Sequence, residues 1–217
     1  MNPENTNFIL KAFQEGGVMM IIIAFFAIAT VSLVIERLLK LQKLVVDKKE
    51  FTDQLYRMVI AGDLKQAISY CDSRPSPLSN TVKAGLVQAL NKRPDEEIQV
   101  AMDASIMRET PKLEGLTPFL AVFGNVAVLA GLLGTIIGMI MSFRAVEKAN
   151  DTQKAELLSA GISHALNCTA FGLLVAITAI VSYGWFQHQI QKTENEIVET
   201  SMTLLNLVAA NRDKMKD

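Results

Sequence analysis

The sequence predicts an all-α integral membrane protein with three transmembrane helices. Long helices extend from the spans into a cytoplasmic helical domain, with the N-terminus outside and the C-terminus inside. Three observations carry this. First, half of the 217 residues are hydrophobic, and residues 17–35, 115–143 and 157–191 contain no Asp, Glu, Lys or Arg. A span needs about 20 consecutive apolar residues, so each stretch is long enough. Second, strand-like alternation of useful length is absent, while helical spacing of apolar residues recurs throughout. Third, thirteen of the 21 Lys and Arg residues fall within residues 37–112, four follow the third stretch, three lie in 144–156 and one precedes the first stretch. The excess of cations puts residues 38–114 and the C-terminal tail in the cytoplasm.

The elements follow in chain order. Residues 1–16 are expected to form an amphipathic helix on the outer surface of the membrane, with Phe8, Ile9, Ala12 and Phe13 at helical spacing before the Gly16-Gly17 hinge. Residues 17–37 are the first span. Glu4 and Glu15 against Lys11 deny it a positive n-region, and no small-residue cleavage site follows, so it reads as a retained span rather than a signal peptide. The apolar spacing then continues through Leu38, Leu41, Phe51, Leu55 and Met58, which predicts one helix running on into the cytoplasm.

Within the cytoplasmic segment, residues 38–114, Gly62-Asp63 breaks the pattern and Asp63 is placed to cap a short helix over 64–71. Two close prolines make residues 72–77 a turn. A helix follows over 78–90, with an interruption at 91–94. Pro94 and the three acids after it start another helix, and Pro111 is placed to kink it before the second span. Residues 115–143 are expected to form the second span, 144–158 a loop outside, 159–187 the third span and 188–217 a cytoplasmic C-terminal helix. At 1.5 Å per residue, the second and third uncharged stretches reach ~43 and ~52 Å, beyond a ~30 Å hydrocarbon core.

The second and third spans carry small residues in register. Ala127, Gly131, Thr135, Gly138 and Ser142 share one narrow face of the second, and Gly134 with Gly138 adds a GxxxG pair. On the third, Ala165, Thr169, Gly172 and Ala176 form a matching seam, beside a polar stripe of His164, Asn167, Cys168 and Ser182. Such seams let helix backbones approach in lipid, where apolar side chains have no reason to prefer protein over acyl tails. Polar groups at membrane depth are costly and mark function. On that ground Thr135, Thr169, His164 and Asn167 are candidates for an ion path or a partner-facing surface. The competing reading is packing, with Thr135 bonding its own helix backbone. His164 is either a proton-relay group or an end-of-span histidine that hydrogen-bonds. Asn125 is a weaker candidate, and Glu36-Arg37 reads as an interfacial anchor or a pair with a neighbouring subunit.

Several functions are excluded. The run GLLGTIIG at 131–138 lacks the Gly-Lys-Ser/Thr of a phosphate loop, and no HExxH, GxSxG or paired catalytic carboxylates occur. No basic stripe with interleaved aromatics points to nucleic acid. Cys71 and Cys168 match no metal or redox spacing. The chain is read as neither an enzyme nor a cofactor protein.

The runs GLLGTIIGMI (131–140) and ALNCTAFGLLVAI (165–177), with GGVMM and ERLLKL around the first span, resemble the MotA/TolQ/ExbB proton-channel family. Three spans and the chain length resemble its ExbB/TolQ branch. That resemblance implies a multi-pass protein of the bacterial inner membrane. It further implies a homopentamer around a single-span partner of ExbD, TolR or MotB type, with H+ as the coupling ion. In such complexes proton flow drives work at the outer membrane or cell surface. By motif match, Thr135 and Thr169 stand where two family threonines face an intramembrane aspartate of the partner. Two departures stand out: His164 replaces a common glutamate, and Val128 a usual proline of the second span. Siderophore uptake, envelope maintenance and gliding motility are all compatible. The alternative from a different class is a non-conducting oligomeric scaffold for envelope proteins.

Overall fold

The computed structural model describes residues 17–44, 48–147 and 149–212. The amphipathic helix expected at 1–16 lies outside these residues. Seven helices are described: α1 Gly17–Leu44, α2 Lys48–Ile60, α3 Leu64–Ser73, α4 Pro77–Leu90, α5 Asp95–Glu114, α6 Thr117–Glu147 and α7 Asp151–Ala210. No strand occurs among the described residues, and α1, α6 and α7 each contain a stretch long and apolar enough to cross a membrane. The expected continuation of the first span beyond Leu44 is described again as helix from Lys48, and the join falls on residues outside the description.

Contacts divide the chain into two units. One holds the described residues up to Glu36 together with Leu116–Trp185, and the other holds Arg37–Gly115 and the described residues from Phe186 onward.

The first unit is apolar outside and small inside. Large side chains such as Ile21, Phe25, Leu129, Ile136, Leu174 and Ile177 are exposed, whereas Gly124, Ala127, Gly131, Gly134 and Gly138 are buried. An outer face this apolar is untenable in water and natural against acyl chains. The first part of α1 joins the other two helices through a cluster of Ile23, Ala130 and Cys168, against which Met19, Phe171 and Val175 pack. Phe26 meets Phe123 edge-on at 5.5 Å between ring centroids.

The second unit follows water-soluble logic. Phe51, Leu55, Leu64, Ala67, Val82 and Leu86 are buried, as are Ile98, Met102 and Leu113. Each fully buried large side chain contributes about 1.5–3 kcal/mol relative to exposure. The distal part of α7 adds Phe186, Ile190, Ile197, Leu204 and Val208, whose spacing keeps one face of the helix apolar.

Its boundaries have local causes. Asp63 caps α3 by accepting from the Gln66 N–H at 3.0 Å, as its position before the helix predicts. Ser76 caps α4 by accepting from the Ser79 N–H at 3.1 Å, with Pro77 in the first turn. That helix ends where Lys92 takes a positive φ of 59°. Pro111 lies inside α5, ahead of its last residues. The helix runs on to Glu114, and the Gly115 N–H bonds the Pro111 carbonyl at 2.9 Å. The turn comes at Gly115, at φ +45°, where a Cβ would overlap the guanidinium of buried Arg37. Arg212 then ties the end of α7 to the start of α5 by bonding the Asp95 carboxylate and the Arg93 carbonyl, the latter at 3.0 Å.

Candidate ion path along the second and third spans

The two seams predicted from spacing pack against each other. A Cβ built on Gly131 would lie 3.0 Å from the Cys168 carbonyl oxygen and 3.2 Å from the Thr169 Cα. One built on Gly172 would lie 2.6 Å from the Ala127 carbonyl oxygen. Farther along, Gly138 faces Ala165 and the His164 ring, while Gly124 faces Ala179 and Ile180. The numbers on one helix rise as those on the other fall, so α6 and α7 run antiparallel in a single register. Backbone-to-backbone contact along this line requires residues without side-chain bulk, which explains why the seam positions are Gly and Ala.

Within that seam, Thr169 reaches across. Its hydroxyl donates to the Gly131 carbonyl at 3.2 Å, a bond between helices rather than within one. By α-helical geometry the same carbonyl receives the backbone N–H of Thr135, four residues on. The Thr135 hydroxyl in turn donates to the Leu132 carbonyl at 2.6 Å. One carbonyl thus links the two threonines, which lie at neighbouring levels of the register. Both are partly exposed, and each hydroxyl oxygen keeps acceptor capacity after donating its proton.

The other predicted residues divide. Ala165, Gly172 and Ala176 are buried in the seam with Gly131, Gly134 and Gly138. His164 is half-buried, with its ring edge about a van der Waals contact from the Gly138 position, 3.0 Å from a Cβ built there. Asn167 is half-buried and Asn125 exposed. Cys168, placed by spacing in the polar stripe, is instead fully buried and fills the gap beside Gly134 and Ala130. The hydroxyl of Ser142 donates to the Gly138 carbonyl at 2.7 Å, and its side chain occupies the space of a Cβ on Gly161.

Sequence reasoning passed over Thr30. This hydroxyl on α1 is 1% exposed and has no hydrogen-bond partner among the described residues. The available signal was a polar residue within an otherwise apolar run, with only Ser32 near it. No group of three or more His, Cys, Asp or Glu suited to a metal ion occurs among the described residues.

Comparison with known proteins agrees with this architecture. The profile of the MotA/TolQ/ExbB proton channel family matches residues 73–199, well over half of the chain. The Tol-Pal system protein TolQ of Pseudomonas aeruginosa is 35% identical over 136 residues, covering 57% of this chain and 58% of that protein. The biopolymer transport protein ExbB of Pseudomonas putida is 26% identical over 174 residues, covering 76% of this chain and 52% of the relative. ExbB of Salmonella typhimurium is 33% identical over 95 residues, 44% of this chain and 38% of that protein. The chain spans about half the length of these relatives. The matched family segment includes both threonine-bearing seams, and the chain belongs to the MotA/TolQ/ExbB proton channel family, in its ExbB/TolQ branch.

Proposed function

We propose that this chain is the channel-forming, stator-like subunit of a bacterial inner-membrane motor driven by the proton motive force. Copies of it assemble, as a pentamer, around a single-span partner of ExbD/TolR type. The partner supplies an aspartate at membrane depth, H+ is the coupling ion, and the force serves outer-membrane transport, envelope maintenance or surface motility. Residues 38–114 and 188–217 face the cytoplasm, and residues 1–16 and 144–158 the periplasm. The chain itself performs no enzymatic step and binds neither cofactor nor nucleic acid.

One observation carries this reading: two partly exposed threonines share a carbonyl link on a seam whose spans hold no Asp, Glu, Lys or Arg. Such a wall has polar acceptors at depth but no titratable acid. A protonated carboxyl from a partner can donate to either hydroxyl oxygen. The ionised carboxylate needs a donor instead, which a hydroxyl provides by rotating away from its carbonyl. The two protonation states therefore prefer different hydroxyl arrangements. Moving one charge through the membrane potential releases about 2.3 kcal/mol per 100 mV, well above the ~1 kcal/mol scale of one intramembrane hydrogen bond.

The same bonds also favour a second reading. Both hydroxyls already donate to backbone carbonyls, as they would in a non-conducting scaffold that uses them for packing. Proton flux into vesicles containing the chain and its co-purifying single-span protein separates the two. The motor reading expects Thr135→Val with Thr169→Val to abolish flux and Thr169→Ser to retain most of it, while assembly persists in both. Unchanged flux in the double variant would sink the proposal.

A further inference from the structure

The geometry points to a binding site for the anionic phosphodiester headgroup of a membrane phospholipid in the groove between α4 and α5. This groove of about 500 Å³ lies wholly within the second unit. Its walls differ along their length. Asn80, Lys83, Arg108, Glu109 and Lys112 gather at one end, while Ala84, Val87, Ala101 and Ala104 line the rest together with the uncharged polar Gln88 and Ser105. The antiparallel run of α4 and α5 produces that division, since the start of α4 meets the end of α5.

The charged end is organised around Glu109. This carboxylate is 5% exposed, and one of its oxygens accepts from the Asn80 amide at 3.2 Å and the Lys112 ammonium at 2.6 Å. Glu109 thereby holds Lys112 at the groove while neutralising only one cation. Lys83 pairs with Asp72, which does not line the groove, and an ammonium keeps further donors after one such contact. Arg108 is exposed and has no ion-pair or hydrogen-bond partner among the described residues. Three cations against one carboxylate leave the lining with a net positive charge.

Covalent connection selects a lipid over other anions. Lys112 lies five residues before Thr117, where the apolar helix α6 begins. At about 3.6 Å per residue at most, the chain keeps these two Cα atoms within ~18 Å. A long lysine beside the first turn of a span is placed for headgroups at the bilayer surface, where basic pockets recognise anionic lipids. The alanine and valine walls suit the glycerol and first methylenes that accompany a headgroup and would gain nothing from a bare ion. The inference goes beyond the motor reading and needs only that α6 lies in a bilayer.

The test uses the full chain in neutral detergent, titrated with dihexanoyl phosphatidylglycerol, dihexanoyl phosphatidylcholine, inorganic phosphate and a polyglutamate peptide. Saturable binding of phosphatidylglycerol, and not of the other three, is expected. At about 1 kcal/mol per cation near a headgroup, Arg108→Gln weakens it about fivefold. Arg108→Gln with Lys83→Gln weakens it further, and Lys65→Gln, on the exposed face of α3, leaves it unchanged. Circular dichroism identifies any variant that fails to fold, and the single Arg108 substitution then stands alone because no hydrogen bond or ion pair among the described residues depends on that exposed side chain. Equal phosphatidylglycerol binding by parent and Arg108→Gln overturns the site. Equal affinity for phosphatidylcholine or phosphate overturns the headgroup assignment, and equal affinity for polyglutamate replaces it with an acidic protein partner.

Discussion

Adding one methyl group at Gly172 tests the packing line on which the candidate path is built. A Cβ there would sit 2.6 Å from the Ala127 carbonyl oxygen and 3.3 Å from the Gly131 Cα, both backbone atoms that cannot swing aside. Restoring an ordinary contact of about 3.4 Å requires the helices to part by most of an ångström, an overpacking of the kind that costs about 1–3 kcal/mol. The same movement stretches the 3.2 Å bond from Thr169 to the Gly131 carbonyl, worth about 0.6 kcal/mol between membrane helices. Against this, Ala is favoured over Gly inside a helix by about 1 kcal/mol. Gly172→Ala is therefore expected to be destabilised by about 0.5–2.5 kcal/mol. Gly184, on the same helix, has nothing within 4 Å of its would-be Cβ, so Gly184→Ala retains the helix gain alone and is stabilised by up to about 1 kcal/mol. Thermal unfolding of the two variants in one detergent, followed by circular dichroism, compares them directly. If Gly172→Ala melted at or above the parent while Gly184→Ala gained stability, the close approach of α6 and α7 would be refuted.

Other outcomes follow from the same structure. Burial, and then the neighbouring Asp72 carboxylate, push the Cys71 thiol up to about 12 from its ordinary 9.0. The folded chain thus keeps this proton where the unfolded chain has lost it, so stability falls as pH rises from about 9 toward about 12 and is unaffected below. Maleimide labelling at pH 8 should spare Cys71 in the folded protein and proceed after denaturation; equal rates in both would contradict its burial. His164→Gln is expected to shift the pH profile of proton-driven activity if the imidazole lies on the path, and an unshifted profile reduces His164 to packing over Gly138. Arg212→Ala removes the clasp on Asp95 and the Arg93 carbonyl. The pair is about half exposed, so the expected cost is at most about 1 kcal/mol, read as faster amide exchange near the start of α5 and the end of α7. A protection pattern identical to the parent would show that the contact does not hold.

Much of the site was legible before any coordinates because small residues in lipid have few other uses. The spacing of Gly131, Gly138, Ala165 and Gly172 identified the faces that meet, and the cap at Asp63 was readable from local chemistry, whereas the turn expected at 72–77 is confined to 74–76 because Asp72 and Ser73 finish α3 and Pro77 opens α4. Cys168 was misplaced because it adjoins Asn167 and Thr169 in a polar-looking stripe. A step of one residue turns a helix by about 100°, and that rotation carries the thiol into the core beside Ala130. Pro111 is accommodated inside α5. A proline near the last turn of a helix removes only one bond, whereas the positive φ of Gly115 ends the helix outright.

By itself the sequence determined that there are three spans, where their apolar lengths lie and which faces are small, since periodicity and the absence of charge are properties of a single segment. The tertiary structure alone decided that the Thr169 hydroxyl bonds the Gly131 carbonyl, that Thr30 is enclosed, and that the Asn80 amide of α4 donates to the Glu109 carboxylate of α5. Each of these depends on the register between helices distant in sequence, and register is set by how whole surfaces interlock rather than by any local pattern.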